Sequence, residues 1–156
     1  MSYRITGLDP TPFRPLYGLS EEALAAQGAR RMIADAKPGF PDRVELRDAE
    51  PGESLLLLNY THLPVDTPYR SAHAIFVREG AEEPYDRIDH IPEPLRVRMI
   101  SLRAFDGGGD MIDADLVQGT EIEALIERLF SAHPQVVYLH AHYAKRGCFA
   151  ARIDRV

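Results

Sequence analysis

The C-terminal segment of the chain holds the residue types best suited to chemistry. His140 and His142 alternate in the run VVYLHAHY, and Cys148, the single cysteine, follows a few residues later. Because side chains two residues apart on a strand point to the same face, a strand here would place the two imidazoles side by side. Imidazole and thiol groups serve as metal ligands and in catalysis. This segment is therefore the first candidate for a functional site.

The segment also has the pattern of a β-hairpin. A three-residue loop, Lys145–Gly147, fits a type I turn followed by a left-handed residue, with glycine in the left-handed position. This loop pairs His140 with Arg152, whereas a four-residue loop would set Leu139 beside Arg152 and mix the two faces. The shorter loop is therefore predicted, and it brings four polar side chains to one surface: His140, His142, Cys148 and Arg152.

Four interpretations of this surface are open on the sequence. The plainest is the solvated back of a half-buried hairpin. A metal site would use the two histidines, completed by Cys148 or His73. A metal-free pocket would use the histidines and Arg152 to bind an anion or to assist acid–base chemistry. In the fourth, Cys148 is a nucleophile activated by His142 and Arg146. The sequence identifies no cofactor.

A second candidate is the segment Asn59–His73, which leaves one apolar run, passes two prolines and enters another. Loops at the ends of buried strands often carry functional groups. We expect Arg70 and His73 to face the same cleft as the two histidines of the hairpin. In the alternative, Arg70 pairs with a carboxylate and Asp66 caps a turn. The polar groups of the segment are His62, Asp66, Tyr69, Arg70, Ser71 and His73.

The elements that must position these groups are mostly strands. Short joins favour antiparallel pairing, because parallel crossovers need a dozen residues or more. Two apolar runs, Leu55–Leu58 and His73–Val77, predict central strands covered on both sides. Asp113 and Asp115 alternate with apolar residues, which predicts that one face of their strand is exposed to solvent or lies at a sheet edge. The predicted strands before the C-terminal hairpin are Arg43–Leu46, Ser54–Tyr60, His73–Val77, Met99–Phe105 and Met111–Val117.

Helical patterns are fewer. One helix is predicted from Ser20, with Gly28 at its C-terminal end. A stronger one starts at Thr120, where Glu123 stands at the capping-box spacing, and its apolar face comprises Ile122, Leu125, Ile126, Leu129 and Phe130. A short third helix begins near Pro92. The sequence thus predicts one α+β domain over residues 1–156, with a mainly antiparallel sheet, two or three short helices and a C-terminal β-hairpin.

Composition narrows the classes of function. The 156 residues carry 18 Lys and Arg against 24 Asp and Glu, and the net charge of −6 argues against nucleic-acid or anionic-membrane partners. One cysteine excludes an internal disulfide. No apolar run approaches the roughly 20 residues of a membrane span. The N-terminal MSYRITGLDP has no apolar signal core, so we expect a cytoplasmic protein.

The chain resembles a family of uncharacterised bacterial proteins, domain of unknown function 1203. The resemblance extends nearly end to end and is carried by RITGLDP, ADAKPGFPDRVELRDAEPGESLLLLNYTH, DTPYRSAHAIFVRE, SLRAFD and YLHAHYAKRGCFAARIDR. It implies a bacterial, cytoplasmic, single-domain protein. It brings no reaction, cofactor or partner.

Two functional hypotheses follow. In the first, a small-ligand-binding or enzymatic domain has a pocket lined by Arg70, His73, His140, His142, Cys148 and Arg152. There, His140 or His142 is the acid–base or metal-binding group, and Arg70 and Arg152 clamp a small anionic ligand. In the second, the chain is a non-enzymatic interaction module without a catalytic site, as a homodimer joined through a sheet face or edge. The second hypothesis rests on a sheet with two apolar faces and few helices to cover them.

Overall fold

A computed structural model describes all 156 residues. Its nine strands and three α-helices confirm the predicted α+β class with antiparallel sheets. None of the helices combines the length and apolar character needed to cross a membrane. The strands are β1 (Tyr3–Thr6), β2 (Arg30–Ile33), β3 (Ser54–Leu63), β4 (Ser71–Arg78), β5 (Asp86–Ile88), β6 (Met99–Phe105), β7 (Met111–Gln118), β8 (Tyr138–Tyr143) and β9 (Phe149–Arg155). The helices are α1 (Glu21–Ala26), α2 (Glu93–Arg96) and α3 (Ile122–Ala132).

Six strands form the larger sheet, in the order β5-β1-β9-β8-β6-β7. The predicted C-terminal hairpin, β8-β9, lies at its centre, and every residue of β8 is buried. The acidic strand β7 is at an edge, as its alternation of Asp113 and Asp115 with apolar residues predicts. Central placement fixes the backbone of the hairpin on both sides, so it is a rigid support for side chains.

Helix α3 covers one face of this sheet. All five apolar residues predicted for its buried face are buried, and they pack with Leu139 and Ala141 of β8. The predicted start at Thr120 with a capping box is wrong: the helix begins at Ile122 with Glu121 as its N-cap residue, and Glu123 pairs with Arg96. At the other end, the Arg155 side chain donates to the carbonyl oxygens of Phe130, His133 and Val136, which satisfies groups left free where the helix stops.

The two other predicted helices are present. Ser20 caps α1, since its side chain accepts a hydrogen bond from the Ala23 amide, and Gly28 takes the expected left-handed conformation (φ 73°) beyond the helix. Helix α2 is the single turn predicted near Pro92.

A second sheet, in the order β2-β3-β4, covers the opposite face. Strand β3 brings Leu63 against Phe105 and Tyr138 of the larger sheet. Strand β3 is central, as predicted, but β4 is an edge strand, and three strands, β1, β2 and β5, have no counterpart in the sequence prediction. Because this sheet covers the second face from within the chain, the observation that motivated a homodimer no longer calls for a partner. Dimer formation stays a prediction, which light scattering can test.

The predicted strand Arg43–Leu46 is wrong, because these residues form no strand. They link the two sheets: the Arg43 amide donates to the Phe76 carbonyl of β4, and the Leu8 amide after β1 donates to the Arg43 carbonyl. The approach is close enough that a Cβ on Gly7 would lie 1.9 Å from the Val44 carbonyl oxygen. Backbone contacts on both sides therefore hold Arg43 in place.

The hairpin loop also differs from the prediction. Four residues, Ala144–Gly147, separate Tyr143 from Cys148, which pair through a 2.9 Å hydrogen bond from the Tyr143 amide. A β-bulge at Ala150 then restores the predicted pairing of His140 with Arg152. Gly147 is left-handed (φ 79°), as predicted. Between the turn and the bulge the faces are exchanged, so Phe149, not Cys148, shares the face of the histidines.

Candidate functional site

The face of the larger sheet that meets β3 carries His140 and His142, and His62 lies opposite them on β3. These three residues are named here the histidine cluster. The His62 ring lies 4.9 Å from the His142 ring and 6.0 Å from the His140 ring, measured between centroids. His140 and His142 are 6.3 Å apart on β8. Phe149 stacks on His62 at 5.4 Å with the planes nearly parallel. The two sheets thus enclose the imidazoles among aromatic rings.

Burial keeps these imidazoles neutral. Burial is the largest cause, and together with neighbouring cationic and imidazole groups it lowers the pKa of His62 to about 4 and those of His140 and His142 to about 3. The Nδ1 atom of His142 donates to the Gly147 carbonyl oxygen at 2.9 Å. The Nδ1 atoms of His62 and His140 are sealed from solvent without a hydrogen-bond partner. Such unpaired buried nitrogens are costly, and protonating them in place would cost more.

The cluster does not have the geometry of a metal centre. No group of three or more His, Cys, Asp or Glu side chains in the structure is arranged to hold a metal ion. The predicted ligands His140 and His142 do share a face, but Cys148 does not join them. The sequence predicts His62 only as one of the polar groups of the segment Asn59–His73, and the structure places it on β3 against the two histidines of β8.

The other residues predicted for this site, Arg70, His73 and Arg152, do not join the histidine cluster in one pocket. Arg152 lies beside His140 across the strands, but its guanidinium pairs with Asp154 and stacks over the Tyr138 ring at 4.1 Å. His73 is partly exposed on β4, and its charge contributes to lowering the pKa values of His62 and His142. Arg70 is exposed and pairs with no carboxylate.

A second site lies at the turn of the same hairpin. It is a cleft of about 720 Å³ between the two sheets and the link that carries Arg43. Its apolar wall includes Met32, Phe40, Phe76, Val97 and Met99. Its polar lining comprises Arg43, Arg98, Gln118, Tyr143, Lys145, Arg146 and Cys148, with no carboxylate.

Arg43 is the unusual group of this cleft. Its side chain is only 1% exposed, and no carboxylate lies within ion-pair distance of it. It donates from Nε to the Phe149 carbonyl oxygen (2.8 Å), from Nη1 to the Pro41 carbonyl oxygen (2.5 Å) and from Nη2 to Cys148 Sγ (3.1 Å). A guanidinium has five N–H donors, so two are unused. A buried charge with no counter-charge is costly, and the unused donors can serve an anion.

Tyr143 contacts both Arg43 and a second guanidinium, that of Arg98. The guanidinium carbons of Arg43 and Arg98 both lie 5.0 Å from the centre of the Tyr143 ring, which is within the range of cation–π interactions. Arg98 is held in position by two hydrogen bonds to Asp48, at 2.7 and 3.0 Å. Burial raises the pKa of Tyr143 to about 12, so its hydroxyl remains a donor at neutral pH.

The structure therefore divides the predicted surface into two sites. His140 and His142 belong to the histidine cluster, whereas Cys148 belongs to the cleft, and its hydrogen-bond partner is Arg43 rather than His142 or Arg146. Arg146 does line the cleft. The sequence carried no signal for Arg43, because its contacts with Cys148 and Phe149 span more than a hundred residues and the segment has the pattern of a strand.

Comparison with known proteins agrees with the resemblance in the sequence. Neither a curated protein nor a solved structure matches the chain. A family model described as protein of unknown function (DUF1203) matches residues 39–155, which include the Arg43 link, all three clustered histidines and the whole C-terminal hairpin. The chain belongs to the DUF1203 family.

Proposed function

We propose that the protein binds a small anionic ligand in the cleft beside the turn of the C-terminal hairpin. The observation that carries this proposal is the buried guanidinium of Arg43, which has unused donors and no carboxylate partner. An anion in the cleft would supply the missing counter-charge. Planar guanidinium donors match the oxygens of a carboxylate or phosphate group.

The charge distribution supports the same ligand class. The protein has a net charge of −6, yet four cationic side chains and no acidic one line the cleft. Two of them, Lys145 and Arg146, are exposed at the turn and form no ion pair. Low-dielectric walls around charges of one sign concentrate the field and attract oppositely charged solutes. The cleft thus gathers positive charge on a protein whose net charge is negative.

The apolar wall adds a second requirement. Phe40 and Phe76 lie 5.2 Å apart, and with Met32 and Met99 they form a surface that an inorganic ion cannot use. A carboxylate or phosphate attached to an aromatic or aliphatic body would fill both parts of the site. We propose that this binding takes place in the bacterial cytoplasm, where a free thiol such as Cys148 stays reduced.

Calorimetric titration with phenyl phosphate tests the proposal, with neutral benzyl alcohol as the matched ligand. We expect phenyl phosphate to bind and benzyl alcohol not to. The Lys145→Gln/Arg146→Gln variant should bind about tenfold more weakly, since each rim charge contributes on the order of 0.5–1 kcal/mol. The Arg87→Gln/Arg128→Gln variant removes two exposed charges elsewhere and should retain the affinity. Equal affinity for both ligands, or no binding of either, would overturn the proposal.

A further inference from the structure

We infer that Cys148 is a nucleophile toward anionic electrophiles held in the cleft, an inference that rests on the proposed function. Its Sγ atom accepts a hydrogen bond from Arg43 Nη2 at 3.1 Å and lines the cleft. The residue is 8% exposed, so its contact with solvent is narrow and lies on that side. A ligand whose anionic group reaches the free donors of Arg43 would come within reach of the sulfur.

The surroundings differ from those of an inert structural cysteine. Inert thiols are enclosed by apolar groups, whereas reactive ones lie beside cationic groups that stabilise the thiolate. Here a buried guanidinium without a carboxylate donates directly to the sulfur. This hydrogen bond holds the sulfur at the cleft wall beside the guanidinium. No histidine is hydrogen bonded to the sulfur, so the proton leaves to water.

Iodoacetate is a probe of this chemistry, because it carries a carboxylate next to an electrophilic carbon. The thiolate sulfur supplies the electron pair for a new S–C bond, and the C–I bond breaks with its pair leaving on iodide. The proton of the thiol has passed to the solvent. Iodoacetamide undergoes the same substitution with a neutral amide in place of the carboxylate. The ratio of the two rates therefore isolates recognition of the anion.

The experiment measures both alkylation rates on the unmodified protein by intact mass, with glutathione under the same conditions as reference. Cys148 is the single cysteine, so one adduct reports one site. We expect the iodoacetate-to-iodoacetamide ratio to exceed that of glutathione by about tenfold or more, the lower end of electrostatic rate effects. The Lys145→Gln/Arg146→Gln variant should lose most of this preference, and Arg87→Gln/Arg128→Gln should keep it. Phenyl phosphate should slow the reaction with both reagents.

A ratio equal to that of glutathione, or a thiol that neither reagent modifies in the folded protein, would overturn the inference. The Cys148→Ser variant separates this result from a failure of the proposed function. If the variant and the unmodified protein both bind phenyl phosphate while the rate ratio is that of glutathione, the cleft binds anions but does not direct them to the thiol. If phenyl phosphate does not bind and the ratio is ordinary, both are wrong.

Discussion

We expect the histidine cluster to make the stability of the protein depend steeply on pH. In the folded state, His62 has a pKa of about 4 and His140 and His142 have pKa values of about 3, because the two sheets bury them. In the unfolded chain, each imidazole binds a proton below about pH 6.5. The unfolded state therefore binds more protons as the pH falls, and the free energy of unfolding decreases from about pH 6.5 toward the folded pKa values.

The expected loss is large for a domain of this size. At pH 5 each imidazole with a folded pKa of 3 to 4 weakens the folded state by about 2 kcal/mol relative to pH 7. Three such groups give on the order of 5–6 kcal/mol, with a limiting slope of about 4 kcal/mol per pH unit. Total stabilities of native domains are about 5–15 kcal/mol. Mild acid should thus unfold or nearly unfold the protein.

Urea unfolding measured between pH 7.5 and pH 5 checks this dependence. His140→Gln and His142→Gln should each reduce the slope by about one proton, or about 1.4 kcal/mol per pH unit. His90→Gln alters an exposed histidine outside the cluster and serves as the control. Proton uptake of less than one on unfolding near pH 5.5, or an equal effect from the control, would refute the assignment of the pH dependence to the cluster.

Three further predictions concern separate features. Arg155→Ala removes the side chain that caps the end of α3, so urea unfolding should show a loss of about 1–3 kcal/mol; no loss would contradict the capping role. Gly7→Ala places a methyl group against the Val44 carbonyl oxygen and should cost about 1–3 kcal/mol or more, whereas Gly107→Ala, with only an ordinary contact at 3.7 Å, should be near neutral; similar costs would refute the steric argument. Phenyl phosphate at a hundred times its Kd should add about 2.7 kcal/mol to the stability and raise Tm by several degrees; an unchanged Tm would contradict binding to the folded state.

Long, patterned elements could be predicted from the sequence. Helix α3 and the strand pair β6-β7 have strong local signals, an apolar face at helical spacing in one case and apolar runs around a glycine-rich turn in the other. The strands β1, β2 and β5 are three or four residues long, and pairing with distant strands defines them. No local pattern marks such strands, because long-range pairing provides their stability.

The candidate site was also predictable only where a local pattern marks its residues. Alternation on β8 placed His140 and His142 on one face, which the structure shows. The third imidazole, His62, and the cationic partner of Cys148, Arg43, come from segments about eighty and a hundred residues away. A single sequence does not show that residues so far apart along the chain are close in space. The predicted three-residue loop is one residue too short. The bulge at Ala150 compensates for the extra loop residue, so His140 still pairs with Arg152.

The bulge in β9 also means that the tip of the hairpin has two self-consistent registers with the same outer ladder. Moving the irregularity from Ala150 into the turn would exchange Phe149 and Cys148, and the sulfur would pass from a guanidinium neighbourhood to an imidazole one. The interactions that select the observed register come from outside the hairpin: Arg43 bonds to both residues, and His62 stacks on the Phe149 ring. Whether Cys148 lies beside a guanidinium or beside imidazoles thus depends on how the two sheets pack together rather than on the sequence of the hairpin.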